Sequence, residues 1–160
     1  MTELSHSEHD PLAHERQVRD WYAQHLQEVR PHEQLVRTEA RFIDSRVRAD
    51  MRTVDRDDVI REWEFKLVAD YAALGQILTY VALARKQYGF ERKIRGVIAA
   101  FEFSPEFLLV VEVMNLGLEL LHIPHWMRNA GFAMNIADPP PIPKIIRPGK
   151  PGSLSDPEPS

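Results

Sequence analysis

The chain has 160 residues, 44% of them hydrophobic, with a formal net charge of −4, so it can bury one core and does not advertise itself as a polyanion binder. The absence of cysteine excludes a disulfide scaffold and a cysteine-ligated cluster. No apolar run is long enough to span a membrane, and an acidic, His-rich start is unlike a signal peptide, so a cytoplasmic protein is expected.

Residues 1–9 are expected to be flexible, and His6, His9 and His14 are read as residues of a loose terminus, not as metal ligands. Residues 10–29 predict one long amphipathic helix, with Leu12, Val18, Tyr22, Leu26 and Val29 on one arc. Glu15 falls inside that arc. A carboxylate there must be paired, protonated or metal-bound if it is buried. The alternative is that its place one turn from the helix start lets it reach water and favour the dipole.

Residues 41–54 alternate with period two, small or apolar at Ile43, Ser45, Val47, Ala49 and Met51, and charged at Asp44, Arg46, Arg48, Asp50 and Arg52. Residues 59–68 do the same, with Val59, Trp63, Phe65 and Leu67 on one face and Glu62, Glu64 and Lys66 on the other. This predicts two strands joined by turn chemistry at Asp55-Arg-Asp-Asp58. Burying both apolar faces together requires a three-residue loop, Arg56 to Asp58, which sets Met51 opposite Trp63 and Asp50 opposite Glu64. Opposed carboxylates repel unless a cation lies between them, so this register reads as a site for a hard cation with oxygen ligands. A slip of two residues one way puts Glu62 opposite Asp50. A slip the other way puts Lys66 there, as a plain cross-strand salt bridge.

Residues 69–87 predict a helix that carries Gln76 and, one turn on, Tyr80. Residues 97–101 read as a buried strand. Ser104-Pro105 starts a second helix over residues 107–114, and residues 118–123 form a last strand ended by Pro124. A short helix is expected over residues 126–134. The fold class expected is α+β, a mixed sheet flanked by helices in the order helix, three strands, helix, strand, helix, strand. Residues 10–136 form one domain. Residues 137–160 are too rich in proline and glycine to pack and are expected to be a disordered tail, inert or able to dock on a protein partner.

Asp50, then Glu64-Phe65-Lys66, then Gln76-x-x-x-Tyr80, in this order and on these elements, resemble the PD-(D/E)XK nuclease superfamily in its RecB-like branch. The resemblance covers roughly residues 15–124. Ala49 stands where the proline of the motif's name would be. The resemblance implies a restriction-endonuclease-like fold and hydrolysis of DNA phosphodiester bonds with Mg²⁺ or Mn²⁺. Asp50 and Glu64 would be metal ligands, with the Phe65 carbonyl and Glu15 as further ones and Glu39 competing with Glu15. Lys66 would steady the attacking water or the phosphate, and Gln76 and Tyr80 would face the site. The branch that carries a four-cysteine iron–sulfur staple is excluded, because the chain has no cysteine.

Fifteen of the twenty basic residues are arginine, the side chain suited to gripping phosphate. Arg46, Arg48 and Arg52 share the face of Asp50, and Arg85, Lys86, Arg92, Lys93 and Arg95 follow the Gln-Tyr helix. Both groups are candidate DNA contacts or solvated faces. The alternative to an enzyme is a catalytically silent subunit of the same fold, acting within a larger assembly or as a homodimer.

Overall fold

The computed structural model describes residues 10–129 and the two-residue strand Ile145–Ile146. Helix α1, Pro11–Gln24, begins where Asp10 accepts a hydrogen bond from the Leu12 amide at 3.0 Å, with Pro11 in the first turn. The single helix expected over residues 10–29 is broken at His25, after which the four-residue α2, Leu26–Val29, follows. The His25 ring nitrogen Nδ1 lies 2.8 Å from the Trp21 carbonyl, and the ring stacks on Trp21.

Strands β1 (Glu33–Arg41), β2 (Arg48–Asp55) and β3 (Ile60–Ala69) form an antiparallel meander. Helix α3 (Tyr71–Tyr88) leads to β4 (Ile94–Phe103), and α4 (Pro105–Met114) leads to β5 (Glu119–His122). β4 pairs parallel with both β3 and β5, so the sheet is mixed and runs β1-β2-β3-β4-β5. The expected class and element order are thus observed, with α2 added.

Three further expectations change. The alternation over residues 41–54 is not one strand: β1 ends at Arg41 and β2 starts at Arg48. Between them Asp44 takes a left-handed backbone (φ 56°), Ile43 is 70% exposed, and the Ile43 amide donates to Gln87 of α3. Phe42 is the exception in that turn. It is buried and stacks on Tyr80. The helix expected over residues 126–134 is a short 3-10 turn, His125–Arg128, and its further residues from Ala130 lie outside the described ones. Within the tail expected to be disordered, Ile145–Ile146 pairs antiparallel with Leu120 and Leu121 as a sixth strand, β6. The remainder of residues 137–160, like residues 1–9, lies outside the described residues.

The β2–β3 register is the one the buried faces require: Met51 opposite Trp63, Arg52 opposite Glu62. The loop is three residues long, with Asp55 and Val59 closing it. Asp55 holds it by accepting from the Asp57 and Val59 amides, and Asp58 supplies the left-handed step (φ 66°). Period two then sorts the side chains. Met51, Trp63, Phe65, Val97, Ala99 and Leu121 pack with Val18, Trp21 and Tyr22 of α1. Ile60, Ile98, Ala100 and Leu120 pack with Ala73, Ile77 and Tyr80 of α3 and Phe107 of α4. Gly96 lets α3 approach: a Cβ there would lie 2.6 Å from Ile77 and 2.7 Å from Leu118.

The loop end of the β2–β3 hairpin is tied by a charge network. Arg30 bonds Glu33 and Glu119, and Arg61 bonds Glu119 and Asp55. Thr53 donates to Glu33 and accepts from the Trp63 indole. α2 and four of the strands are joined through one set of groups.

Candidate active site

The charged face of β3 looks toward α3, and it carries the acids that the sequence singled out. Asp50, at the start of β2, accepts a hydrogen bond from the Phe65 amide at 2.8 Å. The next residues in register are Met51 and Trp63, so Asp50 stands beside Glu64. Lys66 holds Glu64 through one oxygen at 3.0 Å, and the other, Oε2, is buried with no hydrogen-bond partner. Tyr80, in the first half of α3, turns its hydroxyl to Glu64. Gln76, one turn earlier on the same side of α3, is half-buried and bonds no side chain among the described residues. Glu15 arrives from α1, on the other side of the sheet, and accepts from the Leu67 amide at 3.2 Å. Glu39, the competitor of Glu15, is exposed and lies 3.6 Å from Arg19.

Burial is the main force on these acids. It raises Asp50 above the ordinary carboxylate range, against the lowering pull of the Phe65 amide, Lys66 and Arg19. Burial, and then the charge of Asp50, push Glu64 up to about 7. Burial also raises Glu15, opposed by the Leu67 amide and Lys66. For Lys66 burial works against the charge, but Glu64, Glu15 and Asp50 outweigh it and the ammonium is held on. A fixed cation beside two carboxylates that resist joint ionisation describes a site with unsatisfied negative charge. Among the described residues no group of three His, Cys, Asp or Glu side chains is placed to hold a metal ion.

The other sequence candidates are not gathered here. Arg52 is not available as a DNA contact: it is 5% exposed, bonds Glu62 at 2.5 Å and the Tyr88 hydroxyl at 3.0 Å, and stacks over Phe42 and Tyr88. The same pairing removes Glu62 as a substitute for Glu64, because the register sets it opposite Arg52. Arg92, Lys93 and Arg95 flank the start of β4 beside Ile60, while Lys66 pairs with Ala100 six residues on, roughly 20 Å along the strand. Arg85 and Lys86 lie in the last turn of α3, also away from the acids. This basic cluster is a surface of its own, and Arg92 already bonds Asp58. Arg46 and Arg48 are exposed and lie at the Asp50 end of the hairpin. The sequence reading missed Arg41, whose Cα partner across the sheet is Arg48. Finding it required the position of β1, which the turn at residues 42–47 obscures.

No protein-family model matches the chain, and no curated protein matches it. Solved structures do. The chain resembles a repair endonuclease from Pyrococcus abyssi with a TM-score of 0.59 at 19% identity, over 74% of this chain and 49% of that one. The fold is shared with a solved endonuclease. It also resembles EndoMS in complex with dsDNA (TM-score 0.54, 21% identity, 66% of this chain and 43% of that one). The apo form of EndoMS gives a TM-score of 0.55 at 23% identity, over 69% of this chain and 47% of that one. The chain therefore spans less than half the length of each of these structures.

Proposed function

We propose that the chain is a metal-dependent nuclease that hydrolyses DNA phosphodiester bonds, of the PD-(D/E)XK superfamily in its RecB-like branch. The observation that carries this reading is the Asp50–Glu64 pair, Glu64 buried and Asp50 half-buried, beside the held charge of Lys66. The donors fit Mg²⁺ or Mn²⁺: all are hard oxygens, and Mg²⁺ keeps several waters while taking one or two carboxylates. Asp50, Glu64 and the Phe65 carbonyl would hold the ion, with Glu15 behind them near Lys66. When bound, the ion would lower the pKa of a water and neutralise charge on the phosphoryl oxygens.

The chain's own residues divide the remaining work. The Phe65 amide fixes Asp50, and Lys66 fixes Glu64, so both carboxylates are oriented before substrate arrives. Lys66 remains charged and can donate to a phosphoryl oxygen or to the attacking water. Tyr80 lies beside Glu64, and Gln76, one turn earlier on the same side of α3, is placed to contact the substrate strand. α1 and its aromatic packing cover the other face of the sheet.

A second reading, a catalytically silent subunit of the same fold, is favoured by one observation: no third metal-ligating side chain joins the pair among the described residues. Its setting would be a homodimer or a larger assembly reached through the proline-rich tail. Cleavage of labelled single- and double-stranded DNA with Mg²⁺ or Mn²⁺ separates the two. The nuclease cuts and Asp50→Ala, equally folded, does not. Cutting by that variant, or none by the wild type, refutes the nuclease reading.

A further inference from the structure

The buried and half-buried arginines Arg19, Arg30, Arg52, Arg61 and Arg92 each hold a carboxylate, as does the exposed Arg128. Other exposed arginines, such as Arg16, Arg56 and Arg95, hold none among the described residues. Arg41, Arg46 and Arg48, at the Asp50 end of the β1–β2 hairpin, are exposed and hold none among the described residues. Arg41 and Arg48 are direct partners across the two strands. Like charges opposed in this way destabilise a sheet. The neighbouring pair Arg37–Arg52 is also like-charged, but there Arg52 is discharged onto Glu62. Among the described residues no carboxylate gives Arg41–Arg48 the same relief, which leaves the pair open to the counter-charge of a ligand.

Its chemistry follows from the donors and the place. Two guanidinium forks side by side suit an anion with several acceptor oxygens, and phosphate is the best match. Arg48 precedes Asp50 by two residues, about 7 Å along β2, so the anion sits next to the acids. We propose that Arg41 and Arg48 clamp a backbone phosphate of the DNA strand beside the Asp50–Glu64 site, with Arg46 from the adjoining turn reinforcing the clamp. This rests on the nuclease reading and adds the path of the strand, over the β1–β2 hairpin and away from the basic cluster at the far end of β4.

The test is anisotropy of a fluorescein-labelled DNA duplex of about 20 base pairs, titrated in EDTA over ~50–300 mM salt. Wild type is compared with Arg41→Gln/Arg48→Gln and Arg41→Lys/Arg48→Lys, with thermal melts of all three. The glutamine pair is expected to bind about tenfold or more weakly, with a slope of log K against log salt shallower by about 1. The lysine pair keeps the slope and loses part of the affinity, because charge survives and the fork does not. The melting temperature of the glutamine pair stays level or rises, since a repulsion is removed. Wild-type affinity and slope in the glutamine pair overturn the clamp, as does a fall in melting temperature that accounts for the loss. Metal-dependent cutting keeps the two proposals apart. A protein that cuts, but whose glutamine pair binds normally, loses the clamp alone, and one that neither binds nor cuts loses both.

Discussion

Arg52→Ala is expected to destabilise the fold by about 3–5 kcal/mol at neutral pH, the cost of leaving one member of a buried ion pair alone. Glu62 is wholly buried, and its Oε2 already lacks a partner. Arg52 supplies the one bond to its other oxygen, together with a bond to Tyr88 and stacking over Phe42 and Tyr88 at 5.0 and 5.3 Å. The lost stacking accounts for about 0.5–2 kcal/mol, and the uncompensated carboxylate for the rest. Even with Arg52 present, burial pushes Glu62 up to about 7, from an ordinary 4.5. A raised carboxylate gives stability that is full below the unfolded value and is lost as pH rises through the folded one. Without Arg52 the folded value climbs further, so the deficit against wild type is largest near about pH 8 and smallest near about pH 5. Urea unfolding followed by tryptophan fluorescence at both pH values measures it. A deficit under about 1 kcal/mol, or one equal at both pH values, would refute the reasoning. Arg52→Met with Glu62→Leu should recover most of the loss.

Three further outcomes are expected. If the proposed mechanism holds, Lys66→Met should reduce single-turnover cleavage by about 10²-fold or more under conditions where the variant is folded, because the proposal aims that charge at the reacting phosphate. A rate near wild type would remove Lys66 from the chemistry. Gly96→Ala should cost about 1–3 kcal/mol in denaturant unfolding, since its methyl would press on Ile77 and Leu118. Arg61→Ala tests the hairpin network: hydrogen bonds and charge from Arg61, with Arg30 at Glu119, outweigh desolvation and hold Asp55 and Glu119 below their ordinary range. Lowered acids stabilise above their unfolded pKa values and stop doing so as pH falls through the folded ones. The gap between variant and wild type should therefore be full at neutral pH and close below about pH 4 in acid-unfolding scans.

How far the sequence could be read depended on whether a residue's fate is set locally. The β2–β3 hairpin was legible because both strands have one face to bury. A one-residue slip would expose Trp63 and Phe65, so the pattern excludes odd slips, while the slips of two residues that set Glu62 or Lys66 opposite Asp50 are excluded only by the observed pairing of Met51 with Trp63. Ser104 marked a helix start for the same local reason. The break at His25 was not legible, since the apolar arc of Val18, Tyr22, Leu26 and Val29 runs on through it. Nor was the turn at residues 42–47, where alternation continues although the chain has left the sheet to seat Phe42 on Tyr80. Arg52 was misread because period two gives the face of a residue but not its depth. It shares the face of Asp50, and lies under Phe42 and Tyr88. The distance of the basic cluster after α3 from the acids was not legible, because a parallel crossover returns the chain to the far end of the sheet.

The measurement that bears most directly on the proposed site is a calorimetric titration of Mg²⁺ or Mn²⁺ into wild type and Asp50→Ala, with melts to show both folded. Saturable binding at millimolar levels or tighter is expected for the wild type and none for the variant. It should weaken as pH falls below about 7, where Glu64 takes up the proton the ion must displace. No saturable binding by the wild type, or equal binding by a folded Asp50→Ala, would contradict the assignment of this pair as the metal site.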